Sequence, residues 1–267
     1  MKIDNFFKTN DLIYHYAKYT TAIEKILFDK QLKLSSLRDT NDPREYKFLH
    51  FNSIGWNLSE SASVDLNKAT SVINCTIENS YKIACFCTNS LSSDNEVWSN
   101  NFFDYGFARS RMWSQYCDNY GVCIAFSKSK LIKHLNSKYN NKVYYGNVDY
   151  VKDPTLSLSF RNLDANKLVE SDIKQYAFNH VKKFHKDLFF KKQNDYRDEN
   201  EFRIVIYNPE VRNIFIDVSK FVDAIILGDR FPKAYKEIIL KYGSDLNVPV
   251  RKIMWSHGEP YLLEWRS

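Results

Sequence analysis

The chain has little glycine and proline and no long apolar run. Only 7 of its 267 residues are glycine and 6 are proline, which argues against a loop-dominated or repetitive architecture. No stretch reaches the roughly 18 apolar residues of a membrane-spanning helix, and the amino terminus lacks the apolar segment of a signal peptide. These absences predict a soluble, cytoplasmic protein without membrane association. The lack of a Pro/Gly/Ser linker predicts a single domain over residues 1–267.

The five cysteines show neither disulfide-scaffold nor zinc-site spacing. Cys85 and Cys87 alternate in a strand-like run, but no second cysteine pair or nearby histidine completes a zinc set. His180 and His185 are five residues apart, a poor spacing for a shared metal on a helix. The sequence therefore predicts reduced thiols and no metal site.

Several motifs of common enzymes are also missing. The chain has no Gly-rich phosphate loop, no GxGxxG, no GxSxG and no HExxH. Catalysis by a Cys–His or Ser–His pair has no local signature, although spacing alone leaves it open.

The chain does contain enough apolar side chains for a sizeable core. Hydrophobic residues make up 44 % of the sequence, with 19 Phe and 18 Tyr, so the composition predicts an ordered, folded chain. The net charge of +6 permits a phosphate-bearing partner without requiring one.

Hydrophobic periodicity predicts more strands than helices. Strands are predicted at 12–16, 32–37, 81–88, 121–127, 142–151, 201–207, 211–219, 222–228, 249–256 and 260–267. Helices are predicted at 20–32, 61–74, 110–120, 164–193 and 232–243. At the first helix, Thr21 and Glu24 fit a capping box. Because the helices do not alternate regularly with the strands, the pattern favours a mixed α+β fold with antiparallel pairing.

Four clusters of polar and aromatic residues are candidates for chemistry. Each alone has an ordinary structural explanation: a core histidine, a turn, core aromatics, or solvated residues at a strand end. The clusters are Tyr14-His15-Tyr16; Ser35-Ser36 with Arg38 and Asn41-Asp42-Pro43; Trp113 with Tyr116; and Glu199 with Glu201.

The last cluster is two carboxylates placed where a charged loop becomes an apolar strand. Side chains two residues apart in an extended segment point the same way, so Glu199 and Glu201 can act on one bound group. A fixed carboxylate stabilises developing positive charge, and a second one can deprotonate a nucleophile. The two glutamates are therefore either solvated residues at a strand end or a catalytic pair held on a rigid edge.

Taken in chain order, the clusters resemble the bacterial DUF2971 family. The blocks that carry the resemblance are YHYAKYTTAIEKILFDKQLKLSSLRDTNDPREY, MWSQYCDNYGVCIAFS, YRDENEFRIVI and VDAIILG. That family has a YHY strand, an LSS strand with an N-D-P turn, a W-S-x-Y-x-D-x-x-G-V segment and an E-x-E-[WF]-R strand in the same order. DUF2971 in turn resembles a divergent branch of the ADP-ribosyltransferase superfamily. The fold implied is a split, strongly bent mixed β-sandwich with surrounding helices.

The resemblance also implies roles for individual residues. His15 would hydrogen-bond the ribose of NAD, Ser35 and Ser36 would lie at the second motif of the cleft, and Glu201 would be the catalytic glutamate with Glu199 as its companion. The sequence departs from both large subclasses, since it has His rather than Arg first and Ser rather than Tyr second. Further candidates for the NAD cleft are Tyr16, Arg38, Asn41, Trp113, Tyr116 and Arg203.

The activity implied is NAD-dependent ADP-ribosyl transfer, with NAD as substrate and no metal. Relatives imply a toxin or anti-phage effector with an antitoxin protein as a further partner. Two other classes stay open: an NAD glycohydrolase that transfers to water, and a non-catalytic nucleic-acid-binding or regulatory module.

A basic segment indicates which class of macromolecule accepts the ADP-ribosyl group. Residues 164–193 contain seven lysines against four acidic residues, with aromatic residues interleaved. Such a surface can follow a phosphate backbone and stack bases, or it can be a solvated face over a packed one. We expect a nucleic-acid acceptor, RNA over DNA or protein, contacted by Lys182, Lys183 and Lys186.

Overall fold

The computed structural model describes residues 5–39, 48–54, 65–90, 102–153 and 158–265. The strands within these ranges are β1 (Leu12–Ala17), β2 (Gln31–Leu34), β3 (Asn52–Ile54), β4 (Tyr81–Thr88), β5 (Val122–Ser127), β6 (Val143–Asn147), β7 (Asp149–Val151), β8 (Asn162–Asp164), β9 (Lys191–Gln193), β10 (Glu201–Tyr207), β11 (Ile214–Asp217), β12 (Val222–Leu227), β13 (Val250–Ser256) and β14 (Glu259–Glu264). The helices are α1 (Tyr19–Thr21), continued by a π-helix over Ala22–Phe28, α2 (Leu66–Ser80), α3 (Ser110–Cys117), α4 (Lys128–Tyr139), α5 (Ala165–Glu170), α6 (Ile173–Lys183), α7 (His185–Phe189) and α8 (Lys236–Leu246).

Eight strands form one mixed sheet in the order β14-β13-β12-β5-β1-β4-β10-β6. Every neighbouring pair is antiparallel except β12 and β13, which are parallel. Shorter pairs flank the sheet: β2 with β11, β3 with β8 and β7 with β9. The mixed α+β fold with predominantly antiparallel pairing is confirmed. Strands from both ends of the described chain, β1 and β14, lie in the same sheet.

The sheet divides between β1 and β4. Within the described sheet these strands are paired at only two positions, Ile13 with Thr88 and Tyr14 with Cys87. By contrast, β1 pairs with β5 over its whole length and β4 pairs with β10 over its own length up to Cys87. Past Tyr14, β1 and β4 therefore separate and leave an opening in the middle of the sheet.

Side chains alternate along β10, so this strand contributes to a core on each face of the sheet. Phe202, Ile204 and Ile206 join a core under α1, its π-helical extension, α4 and α8. Val205 points to the opposite face and packs into a second core with α2, α6 and α7. Glu201 and Arg203 share that second face, because side chains alternate along a strand. The strand thus carries two charged groups into the protein interior.

Several predicted elements differ from the structure. The first helix starts at Tyr19 with Lys18 as its uncapped amino-terminal residue, so Thr21 lies inside the helix and the capping-box prediction is wrong. The predicted strand 142–151 is two strands, β6 and β7. The predicted strand 32–37 ends at Leu34, and the helix predicted from residue 61 begins at Leu66.

The predicted long helix over 164–193 is also wrong. The segment comprises the end of β8, then α5, α6, α7 and β9. Asp164 and Asp172 each cap the amino terminus of a new helix by accepting backbone N–H bonds. Capping carboxylates start helices and do not continue them, so Asp164 marks the start of the segment and Asp172 divides it after α5. Among the described residues, no helix is both long and apolar enough to cross a membrane.

Candidate active site

A cavity of about 220 Å³ lies at the opening between β1 and β4. Its lining combines aromatic, hydroxyl and charged groups from distant parts of the chain. Its lining includes His15, Tyr16, Ser35, Ser36, Cys85, Tyr116, Lys192, Glu199 and Glu201. Seven of these belong to the candidate set chosen from the sequence, and Cys85 and Lys192 do not.

Glu201 opens β10 and is held by Arg203, two residues along the same face. Arg203 Nε donates to Glu201 Oε1 at 2.6 Å, and Arg203 Nη2 donates to Oε2 at 3.0 Å. Arg203 Nη1 donates to the carbonyl of Phe189, which fixes the guanidinium. Burial alone would raise the pKa of Glu201, but the charge and hydrogen bonds of Arg203, with the charge of Lys192, lower it to about 2. This carboxylate remains ionised at physiological pH.

Lys192 is a buried cation that bridges the two glutamates. Its Nζ donates to Glu199 Oε2 at 2.8 Å and to Glu201 Oε2 at 3.2 Å, and its side chain is 5 % exposed. β9 delivers it there by pairing in parallel with β7, where Tyr150 is its partner. The ring of Tyr196 lies 4.5 Å from the ammonium.

Sequence reasoning counted Lys192 as part of the basic surface and missed its role. A signal was present: Lys191 and Lys192 follow two phenylalanines in a short extended segment. In such a segment one of two neighbouring side chains must face inward. Lys191 is the partly exposed one and pairs with Asp187.

Glu199 reaches the cavity by a different route from the one expected. It ends a 3₁₀ turn over Asn194–Glu199, so it does not lie in an extended segment. Asn200 follows in the left-handed region at φ 43° and reverses the chain so that both glutamates face the same cavity. Glu199 Oε1 accepts from the Tyr116 hydroxyl at 3.3 Å. Burial raises the pKa of Glu199, and Lys192 offsets this only partly.

Asn200 and two arginines hold the turn that carries Glu199. The Asn200 side-chain amide donates to the carbonyls of Thr88 and Asn89 and to Ser90 Oγ. Arg109 donates to the carbonyl of Asp198 at 2.8 Å, and Arg111 donates to that of Asp195 at 2.7 Å. The turn is therefore fixed from β4 on one side and from the start of α3 on the other.

His15 lies where β1 and β4 separate. Its Nδ1 is 3.0 Å from the carbonyl of Cys85, and since a carbonyl only accepts, Nδ1 carries the proton. Burial lowers the pKa of His15, partly offset by this hydrogen bond, so the neutral ring presents Nε2 as an acceptor. Ser35 pairs through its backbone with Ile83 of β4, which sets it and Ser36 at the cavity wall.

Other predicted site residues have different positions. Trp113 is 1 % exposed and donates its indole N–H to the carbonyl of Phe107, so it is a core residue that cannot stack on a ligand in the cavity. Tyr16 lines the cavity but its hydroxyl donates to the carbonyl of Gly106. Arg203 lies behind Glu201 and is 1 % exposed, so it is not available to a phosphate.

The other residues predicted from the sequence are two candidates for the NAD cleft, Arg38 and Asn41, and the three lysines of the basic segment. Arg38 lies in a short 3₁₀ turn over Leu37–Asp39, with its side chain outside the described structure. Asn41 lies outside the described residues. Lys182, Lys183 and Lys186 are exposed on α6 and α7 and do not line the cavity. In the described ranges, no three His, Cys, Asp or Glu side chains are grouped as metal ligands.

Fold and site together define a mixed α+β protein with a buried carboxylate pair in the opening of a split sheet. The sequence model of the family DUF2971, described as a protein of unknown function, matches residues 112–204. This match supports the DUF2971 assignment over about a third of the chain, including Lys192, Glu199, Glu201 and Arg203. Comparison with curated proteins and with solved structures gave no match.

Proposed function

We propose that the protein is an NAD-dependent ADP-ribosyltransferase. The observation that carries the proposal is a pair of buried carboxylates in one cavity with different surroundings: Arg203 and Lys192 hold Glu201, while Lys192 and a long bond from Tyr116 hold Glu199. Burial raises the pKa of Glu199, whereas Arg203 outweighs burial and lowers that of Glu201, as is typical of two carboxylates with different roles. The resemblance to ADP-ribosyltransferases through the motifs of DUF2971 supports the same chemistry.

The reaction uses these groups as follows. The bond between ribose C1′ and the nicotinamide nitrogen breaks, nicotinamide leaves as a neutral base, and positive charge develops on the ribose. Fixed negative charge in a site with little water stabilises that oxocarbenium ion. The acceptor forms the new bond to C1′ and passes its proton to a carboxylate. His15, with Nε2 as an acceptor, is placed to hold a ribose hydroxyl.

The cavity's size supports binding of the reacting half of NAD. At about 220 Å³ it is smaller than the pockets that enclose whole drug-sized ligands. It has room for one ring and its sugar, so the remainder of the dinucleotide would extend towards the exposed Lys33 and Asp39 at the rim.

We propose a nucleic acid, RNA over DNA, as the acceptor, and a toxin or anti-phage role with an antitoxin partner. The toxin role and the antitoxin partner rest on the family resemblance alone. The acceptor is supported by the exposed group Lys182, Lys183 and Lys186, two of which lie beside aromatic rings. Lys182 Nζ is 5.9 Å from the ring of Phe178 and Lys183 Nζ is 4.9 Å from that of Phe184. Cations with interleaved aromatic rings suit a phosphate backbone and its bases.

One observation favours NAD hydrolysis as the second candidate. Glu199 and Glu201 are 2 % and 4 % exposed, so water reaches them more easily than a macromolecular acceptor does. In that case the same cavity transfers ADP-ribose to water.

Incubation with NAD labelled in its adenylate phosphate tests the proposal. Purified protein is mixed with separate pools of RNA, DNA and protein, and nicotinamide is measured in each. Label on RNA is the expected result. Label on protein rejects the acceptor, free ADP-ribose alone indicates the glycohydrolase, and no nicotinamide release rejects the enzyme and leaves the binding-module class.

A further inference from the structure

We propose that Glu199, and not Glu201, is the carboxylate that touches the substrate, and that Glu201 is a positioning residue. This inference rests on the proposed function and reverses the roles that the family resemblance implies. It follows from counting the hydrogen bonds already made by each carboxylate.

Hydrogen bonds from two buried cations occupy three of the acceptor sites of Glu201. A carboxylate has about four lone-pair sites on its two oxygens. Arg203 occupies one on Oε1 and one on Oε2, and Lys192 occupies another on Oε2. Cys85 lines the same cavity and contributes to the lowered pKa of this carboxylate. A ribose hydroxyl reaching Glu201 would find about one of the four sites free.

Glu199 keeps unused acceptor sites. Its Oε2 accepts from Lys192 and its Oε1 accepts a long bond of 3.3 Å from Tyr116. About two of its four lone-pair sites are open to a donor in the cavity that it lines. Displacing the Tyr116 hydroxyl would cost little, since a bond of that length is weak.

The charges around the two glutamates also favour Glu199 as the carboxylate that contacts the substrate. The bidentate pair with Arg203 cancels most of the field of Glu201, because opposite charges at that distance act as a dipole. Lys192 is shared, but it lies nearer to Glu199, at 2.8 Å against 3.2 Å. Glu201 and Arg203 thus form a neutral support that holds Lys192, and Lys192 holds Glu199.

The surroundings of Glu199 determine how it titrates. The titratable and charged groups facing it come from six elements: Tyr116 on α3, Lys192 on β9, Glu201 and Arg203 on β10, Tyr150 on β7, Cys85 and Cys87 on β4, and His15 on β1. Tyr196 lies over Lys192 from the turn of Glu199 itself. Removing the charge of Glu201 removes a neighbour that raises the pKa of Glu199.

The pH dependence of nicotinamide release separates the two roles. In the native protein we expect release to rise with pH through the ionisation of Glu199. Glu199→Gln should lose this limb and fall in rate by a factor on the order of 100 or more. Glu201→Gln should keep the limb, displaced to lower pH. The exposed Glu210→Gln serves as a control with native behaviour. A limb lost in Glu201→Gln and kept in Glu199→Gln would overturn the assignment.

A second measurement does not depend on turnover. The carboxyl ¹³C signals of the two glutamates are assigned from the two variants and followed as NAD is added. We expect NAD to move the signal of Glu199 more than that of Glu201. A shift confined to Glu201, or no shift at either signal, rejects the assignment. A shift at Glu199 without nicotinamide release supports it while rejecting the transferase.

Discussion

At the scale of single residues, the site depends on four buried charges. Glu199, Glu201, Lys192 and Arg203 are each at most 5 % exposed. Their formal charges sum to zero, and each is within hydrogen-bond distance of an opposite charge. Buried charges persist in proteins when they are paired in this way, and removal of one partner leaves an uncompensated ion.

Glu201→Gln should therefore destabilise the protein. Arg203 loses its bidentate partner, and the expected loss is about 3 to 5 kcal/mol in the free energy of unfolding. Urea unfolding at neutral pH measures it, with Glu210→Gln as the exposed control. Glu199→Gln should cost less, because Lys192 keeps its contact with Glu201 and because burial raises the pKa of Glu199, so that ionisation of this group opposes folding at neutral pH. Equal stability of Glu201→Gln and native protein would contradict the buried ion pair.

Acid should remove the contribution of the ionised Glu201 carboxylate to the free energy of unfolding. The pKa of Glu201 is lowered from 4.5 to about 2 on folding, so the folded state binds its proton more weakly than the unfolded state. Its stabilisation is then fully present above pH 4.5 and lost as pH falls towards about 2. The difference in unfolding free energy between native protein and Glu201→Gln should shrink across this window. A difference that does not change with pH would exclude Glu201 as its source.

His15 should affect NAD more than the fold. Its ring lines the cavity and is partly exposed, and its one hydrogen bond to a described residue goes to the backbone carbonyl of Cys85. His15→Ala should weaken NAD binding measured by calorimetry, with a small change in melting temperature. His134→Ala, at an exposed position on α4, is the control. Unchanged NAD affinity together with a large fall in melting temperature would make His15 a core residue.

At the scale of elements, the left-handed backbone of Asn200 determines where Glu199 lies relative to Glu201. Asn200→Ala should lower the melting temperature more than Asn200→Gly, since a Cβ in this region costs about 1 to 2 kcal/mol. Both variants lose the side-chain bonds to Thr88, Asn89 and Ser90 and should slow nicotinamide release by displacing Glu199.

Asn247 provides a matched control for this prediction. It is also left-handed, at φ 55°, but it ends α8 and does not line the cavity. Asn247→Ala should carry the same backbone cost and leave nicotinamide release at the native rate. Native release by Asn200→Ala would show that the turn does not position Glu199.

Sequence patterns predict those elements whose periodicity is uninterrupted. β4 and β10 occur as predicted, at 81–88 and 201–207, because each is an apolar run with polar residues at its ends. The segment 164–193 was mispredicted because its helical pattern continues across Asp172, which caps a new helix, and because its last residues form β9. The path of Lys192 into the core was missed because a pairing of β9 with β7, distant in sequence, creates it.

At the scale of the whole molecule, surface charge bears on the acceptor. If Lys182, Lys183 and Lys186 contact a phosphate backbone, their reversal to Glu should weaken RNA binding and reduce its salt dependence. Nicotinamide release should persist, because these residues do not line the cavity. Filter binding across a salt series measures the effect.

Reversing three lysines on a different surface tests whether RNA binding depends on the position of the lysines or only on the net charge of the protein. Lys25, Lys233 and Lys241 are exposed near α8 and the first helix. Changing these three to Glu alters the net charge by the same amount and should leave most RNA binding intact. Equal losses in the two triple variants would remove α6 and α7 from the proposed acceptor surface.

At the scale of the whole molecule, the central claim is that the opening between β1 and β4 binds the nicotinamide ribose of NAD. A crystal structure of the Glu199→Gln variant with NAD tests this claim most directly, since the variant should bind NAD without cleaving it. We predict the nicotinamide ribose in the cavity, with a ribose hydroxyl or C1′ beside the side chain of residue 199 and the ring of His15 within hydrogen-bond distance of the sugar. NAD bound away from the β1–β4 opening, or an empty cavity at saturating NAD, would contradict the account.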